Sequence, residues 1–195
     1  MRQFASSGFR IWNLSREAKL IYTGFGLFSL AAIVVSMMFY EDLVGPKTAG
    51  VAGYYAGASH RIAPRTTPTT ATGGPQIELP DEPATSSEQL TVAVTYRKLL
   101  EVTHFHLFTL PVFLLIIAHL FMLTGLSSTA KTAWIAAGWL SAFVHLLAPW
   151  LIRYGGKAWS FTYPTSGALM GLALTVMTAY PMIVMWLPRR EDVKG

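Results

Sequence analysis

Apolar and polar positions along the chain separate into four long apolar blocks, joined by polar segments of very different length. The blocks cover residues 20–40, 104–124, 132–152 and 166–187, and none holds Asp, Glu, Lys or Arg in its interior. Each matches the ~20 residues a helix needs to cross a hydrocarbon core. Such runs span a bilayer only as helices, because a lone strand leaves its backbone groups unpaired in lipid. The pattern predicts an all-α integral membrane protein, a bundle of four transmembrane helices with a long, partly irregular outer loop between the first and second.

The composition agrees. Over 195 residues the chain is 52% hydrophobic and only 13% charged, too apolar for an ordinary soluble domain. The basic residues set an orientation. Arg2, Arg10, Arg16 and Lys19 precede the first span, Lys131 lies in the link of residues 125–131, and Arg189, Arg190 and Lys194 lie in the tail of residues 188–195. The loop of residues 153–165 carries Arg153 and Lys157. Both termini are expected in the cytoplasm, with the loops of residues 41–103 and 153–165 outside. Trp150, Tyr154, Trp159 and Tyr163 are then an outer aromatic belt, and Trp12, Tyr22, Trp134 and Trp186 an inner one. The basic segment 1–19 before an apolar run resembles a signal peptide. The run is longer than an h-region and no A-x-A-like site follows "SMMFYEDL", so it reads as a retained anchor. The net charge of +5 calls for no nucleic acid, since anionic lipid on the inner leaflet accounts for it. The absence of cysteine excludes disulfides, C-x-x-C-H haem attachment and cysteine-held clusters.

The outer loop divides in three. "EDLVGPKTAGVAGYYAGASHRIAPR" is Gly- and Tyr-rich and is expected to fold against the membrane surface; residues 66–86 form a Thr/Pro-rich linker. Residues 88–103 read as a helical lead-in capped by Ser87, with Tyr96, Leu99, Leu100 and Thr103 at helical spacing, running on into the second span.

The chemistry lies in the histidines. His104, His106 and His119 fall in the second span and His145 in the third, while His60 in "GASHRIAPR" reads as a surface loop residue. Spans two and three share a short link, so they are adjacent and antiparallel, which sets His145 close to the height of His106. Two imidazoles facing each other from neighbouring helices at one depth form the axial pair a b-type haem requires. His119 lies about 20 Å deeper than the outer pair and finds no histidine opposite it in "IAAGW". Around an ideal helix His104 and His119 are about 60° apart, and His106 and His119 about 140°. His104 and His119 are therefore lesser candidates, the first readable as interfacial and wet, the second as bonded to a Ser or Thr. Arg97 and Lys98, just outside span two, are placed to meet haem propionates, an acidic partner or lipid phosphates. Pro111 and Pro149 each free a carbonyl near a histidine, Pro149 that of His145 itself. "GALMG" at 167–171 is a G-x-x-x-G pattern suited to close helix contact.

The run "VTHFHLFTLPVFLLIIAHLF", with "FVHLLAPWL" on the next helix, resembles the haem-bearing helices of small bacterial membrane b-type cytochromes. Its "HFHLF" start and "YYAG" loop are similar to those of small four-span inner-membrane proteins. The usual di-haem arrangement has two ligand histidines on each of two helices, and here span three supplies only His145. The resemblance implies a quinone-linked redox role with a periplasmic cytochrome c as partner. The leading expectation is a subunit in which His106 and His145 ligate one haem b and relay electrons between membrane quinol and an outer-side carrier. The alternative is a non-redox subunit that anchors or assembles a larger membrane complex. A metal on His104, His106 and His145 ranks lower because nothing like H-E-x-x-H is present. A transporter ranks lowest, for want of an inverted repeat and an intramembrane carboxylate. No self-contained catalytic motif appears.

Overall fold

The computed structural model describes residues 10–45, 48–61 and 88–187. The linker of residues 66–86, the Ser87 cap and the basic residues Arg2, Arg189, Arg190 and Lys194 lie outside them. A 3₁₀ turn, Ile11–Asn13, leads into α1 (Arg16–Val44), α2 (Thr48–Ala56), β1 (Ala58–Arg61), β2 (Glu88–Thr91), α3 (Tyr96–Met122), α4 (Ser128–Trp150) and α5 (Thr162–Trp186). Helices α1, α3, α4 and α5 are each long and apolar enough to cross a membrane, which bears out the all-α bundle. With four spans among the described residues, the start of α1 and the end of α5 share one end, called here the terminal end; the opposite one is the loop end.

Local signals fix the helix starts. Ser15, Thr95 and Ser127 cap α1, α3 and α4, their hydroxyls accepting from the backbone N–H groups of Ala18, Lys98 and Ala130. Gly45 ends α1 with φ +68°, a conformation that excludes most side chains, and its N–H returns to Glu41 O. Pro111 lies inside α3 without ending it. After Pro149 the α-helix of α4 persists only to Trp150 and then widens into a π-helical turn, Leu151–Gly155, as expected where a proline removes a donor.

The predicted lead-in helix over 88–103 is corrected in its first half. Residues 88–91 are a strand paired antiparallel with 58–61, from Ala58 opposite Thr91 to Arg61 opposite Glu88. The helix starts at Tyr96 and from there runs unbroken into the span. Leu90, Val92 and Val94 alternate with Gln89, Thr91 and Ala93, a period of two, and the β-branched residues suit extended backbone. Thr95 then caps the helix, its hydroxyl accepting from Lys98 N–H.

Within lipid, helices gain little from hiding apolar surface from one another, so close packing falls to small residues. Helix α5 is the hub, packing on α1, α3 and most extensively on α4. The central cluster joins Leu114, Ile117 and Phe121 of α3 to Ala142 of α4 and Ala173, Leu174 and Met177 of α5. At Gly138 a Cβ would lie 2.7 Å from the Met177 methyl carbon, so a larger residue there would require the end of the Met177 side chain to shift. Ser29 and Ser141 return their hydroxyls to the carbonyls of Phe25 and Ala137, which keeps buried polar groups satisfied. A second cluster closes the loop end, where Val51 and Tyr55 of α2 pack on Val44, Leu99 and Ile152. The Gly- and Tyr-rich segment thus folds onto the bundle through α2.

Candidate functional site

The site is built where α3, α4 and α5 meet near the loop end. The Trp150 indole donates to the Thr103 hydroxyl at 2.8 Å and fixes the register of α4 on α3. From that bond His106 lies three residues down α3 and His145 five residues down α4. At 1.5 Å per residue the two histidines differ in height by only about 3 Å.

His145 sits on a bundle-facing stripe, and His106 lies beside one. On α3 at 100° per residue, His106 is about 20° from the buried Leu99 and Ile117. On α4, His145 continues the line of buried Gly138, Ser141, Ala148 and Ile152. Their surroundings differ. His145 is half-buried against α5, its ring centroid 4.3 Å from that of Tyr163. Its Nδ1 is 3.2 Å from Tyr163 O and 3.1 Å from Ser166 Oγ. The Ser166 hydroxyl donates to Thr162 O at 2.6 Å, which leaves its lone pair to accept from His145. Gly167 makes this possible, because a Cβ there would lie 3.1 Å from His145 Cε1. The first glycine of "GALMG" thus seats the His145 ring inside the bundle, while a Cβ at Gly171 would meet nothing within 4 Å.

His106 is exposed although it lies beside the buried stripe. Its azimuth on α3 is within about 20° of Phe113, whose ring meets Phe25 of α1 at 5.9 Å. Helix α1 packs chiefly on α5. The His106 Nδ1 lies 2.7 Å from Val102 O.

These contacts fix the tautomers. A carbonyl oxygen only accepts, so in both residues the proton sits on Nδ1 and the Nε2 lone pair is left available. This is the arrangement that second shells impose on metal-bound histidines. The side chains that could hold an iron porphyrin are these two imidazoles, on two helices at nearly one depth. Among the described residues no group of three or more His, Asp or Glu side chains is placed to hold a bare metal ion.

The other predicted residues stand apart. His104 is exposed two residues from His106, about 160° around the axis, with its ring against Phe105 and Phe108 at 5.9 and 5.0 Å. His119 is half-buried far toward the terminal end. Arg97 is exposed, and Lys98 pairs with Glu101 at 3.4 Å. The side chain of His60 lies outside the described set, although its backbone is in β1.

Tyrosines surrounding His145 were not singled out from the sequence. Tyr163, expected in an outer belt, is half-buried and touches three rings: His145, Tyr40 of α1 at 5.9 Å and Tyr55 of α2 at 5.3 Å. The Tyr55 hydroxyl hydrogen-bonds that of Tyr163, and burial raises the Tyr55 phenol above its ordinary range, with Tyr163 adding to the shift. The available signal was "YPTSG", which sets Tyr163, Ser166 and Gly167 on one helical face at spacings of three and four.

Fold and site together define a multi-pass helical membrane protein with a histidine–tyrosine cluster near its loop end. The chain belongs to the transmembrane helical domain family Aq_1264_TM, whose model matches residues 45–192. The match holds α2 to α5 with His106, His145, Tyr55 and Tyr163, and leaves α1 outside. No curated protein and no solved structure matches the chain.

Proposed function

We propose that the protein is a small electron-transfer subunit in which His106 and His145 are the axial ligands of one haem b on the outer half of a bacterial inner membrane. The single observation that carries this reading is the shared tautomer: both imidazoles commit Nδ1 to a carbonyl and keep Nε2 available, at nearly one height on adjacent helices. The haem would supply one-electron chemistry between membrane quinol and a periplasmic partner such as a cytochrome c. The chain's own work is positioning. Ser166 and the Tyr163 carbonyl hold the His145 ring, Gly167 makes room for it, Val102 O orients His106, and Trp150–Thr103 sets their common height.

The orientation with both termini in the cytoplasm is supported by Arg10, Arg16, Lys19 and Lys131 at the terminal end, against Glu17 as the described carboxylate there. A dithionite-reduced minus oxidised spectrum of the purified protein tests the proposal. A b-type α-band is expected. A colourless protein would overturn it in favour of a non-redox anchoring or assembly subunit, a reading that draws on α1. Only 11% of its most apolar window is buried in the bundle, against 28–33% for the other spans, which leaves a face open to another subunit.

A further inference from the structure

At the terminal end α3 stops at Met122, and its last carbonyls lack helical partners. Two cations from different parts of the chain converge on them. Arg10 Nη1 donates to Thr124 O at 3.2 Å. Lys131 Nζ donates to Met122 O at 3.0 Å and approaches the same Thr124 O at 3.4 Å. The backbone supports the arrangement, with Ile11 N–H on Leu123 O at 3.1 Å. The Arg10 guanidinium lies 5.8 Å from the centroid of the Trp12 ring, and Trp12 in turn lies against Gly125.

Helix capping alone leaves this site out of balance. A helix C-terminus offers about half a negative charge, whereas two full positive charges share one of its oxygens. Among the described residues neither cation has a carboxylate partner; the ion pair there is Lys98–Glu101, at the loop end. Arg10 uses one of a guanidinium's five N–H donors on Thr124 O, so further donors remain for an external acceptor. The pair stands where the span ends, which is the headgroup level, and the Trp12 ring beside it is the side chain favoured at that interface.

We infer that Arg10 and Lys131 form a clamp for the phosphate of one anionic phospholipid in the leaflet at the terminal end. The phosphodiester oxygens offset both cations, and the acyl chains lie along the apolar flank of the bundle. The site is independent of the histidine cluster and of any redox role.

Native mass spectrometry of the full chain, released from micelles containing equal amounts of phosphatidylglycerol and phosphatidylcholine, tests the inference. One phosphatidylglycerol is expected to stay bound. Removing one charge by Arg10→Gln or Lys131→Gln should weaken retention about fivefold, the usual worth of one basic residue near an anionic surface. Arg10→Lys should largely keep it, and Lys157→Gln, at the loop end, should leave it unchanged. Helical circular dichroism confirms that each variant is folded. Equal retention of the two lipids, or wild-type retention in the folded Gln variants, would overturn the clamp. Displacement of the lipid by millimolar inorganic phosphate would overturn the lipid assignment and leave a site for free phosphate.

Discussion

The Trp150 indole donates to the Thr103 hydroxyl at 2.8 Å, and this bond sets the height at which His106 and His145 lie on their helices. Both partners are half-buried near the loop end, where lipid tails offer the bond no competition and water only a modest one. Trp150→Phe and Thr103→Val should each lower stability by about 1 kcal/mol, the net worth of a typical hydrogen bond. The double variant should lose little more than either alone. Thermal unfolding in detergent, followed by circular dichroism across the four-member cycle, checks this.

Gly167 and Gly171 separate two readings of one motif. Gly167→Ala places a methyl 3.1 Å from His145 Cε1 and 3.4 Å from its Nδ1, so the ring must shift from Tyr163 O and Ser166. The cost should fall within the ~1–3 kcal/mol of an overpacked core. Gly171→Ala meets open space and should be neutral or slightly stabilising, since alanine is the better helix former. A comparison of unfolding midpoints decides. Equal losses at both positions would mean that the motif packs on something other than His145.

The start of α3 is testable in the same way. Thr95→Ala removes the cap on Lys98 N and should cost about 1 kcal/mol. Ser87→Ala should cost nothing if the helix begins at Tyr96.

Tyr55 gives the fold a pH dependence. Burial raises its phenol above the ordinary value, so the folded state holds this proton more tightly than the unfolded chain does. Its contribution is complete below the unfolded value, about 10, and is lost progressively as pH rises beyond it. The unfolding midpoint should therefore fall above that pH in the wild type, and fall less steeply in Tyr55→Phe. An identical alkaline slope in both would contradict this assignment.

How much of this was legible beforehand divides along physical lines. The four spans were legible because lipid imposes one rule on every residue in them, and uninterrupted apolar runs satisfy it visibly. The common height of His106 and His145 was also legible, since a short link fixes two antiparallel helices. The start of α3 was misread because helical spacing at Tyr96, Leu99 and Thr103 was extended backward over a segment whose own period is two. The role of α5 was hidden. Span four has no histidine, and nothing local in "YPTSG" announces that its Tyr163, Ser166 and Gly167 surround a residue twenty positions away on α4. That Gly167 serves His145 follows from packing, which a one-dimensional pattern of small residues does not encode.

The central claim is that two named imidazoles hold one haem, and haem stoichiometry in three proteins tests it most directly. A pyridine haemochrome assay on the purified wild type, His106→Ala and His145→Ala should give about one haem b per chain in the first and little or none in the other two, because an axial pair is lost when either member is removed. Haem retained at wild-type stoichiometry in either folded variant, or absent from the wild type, would contradict the account.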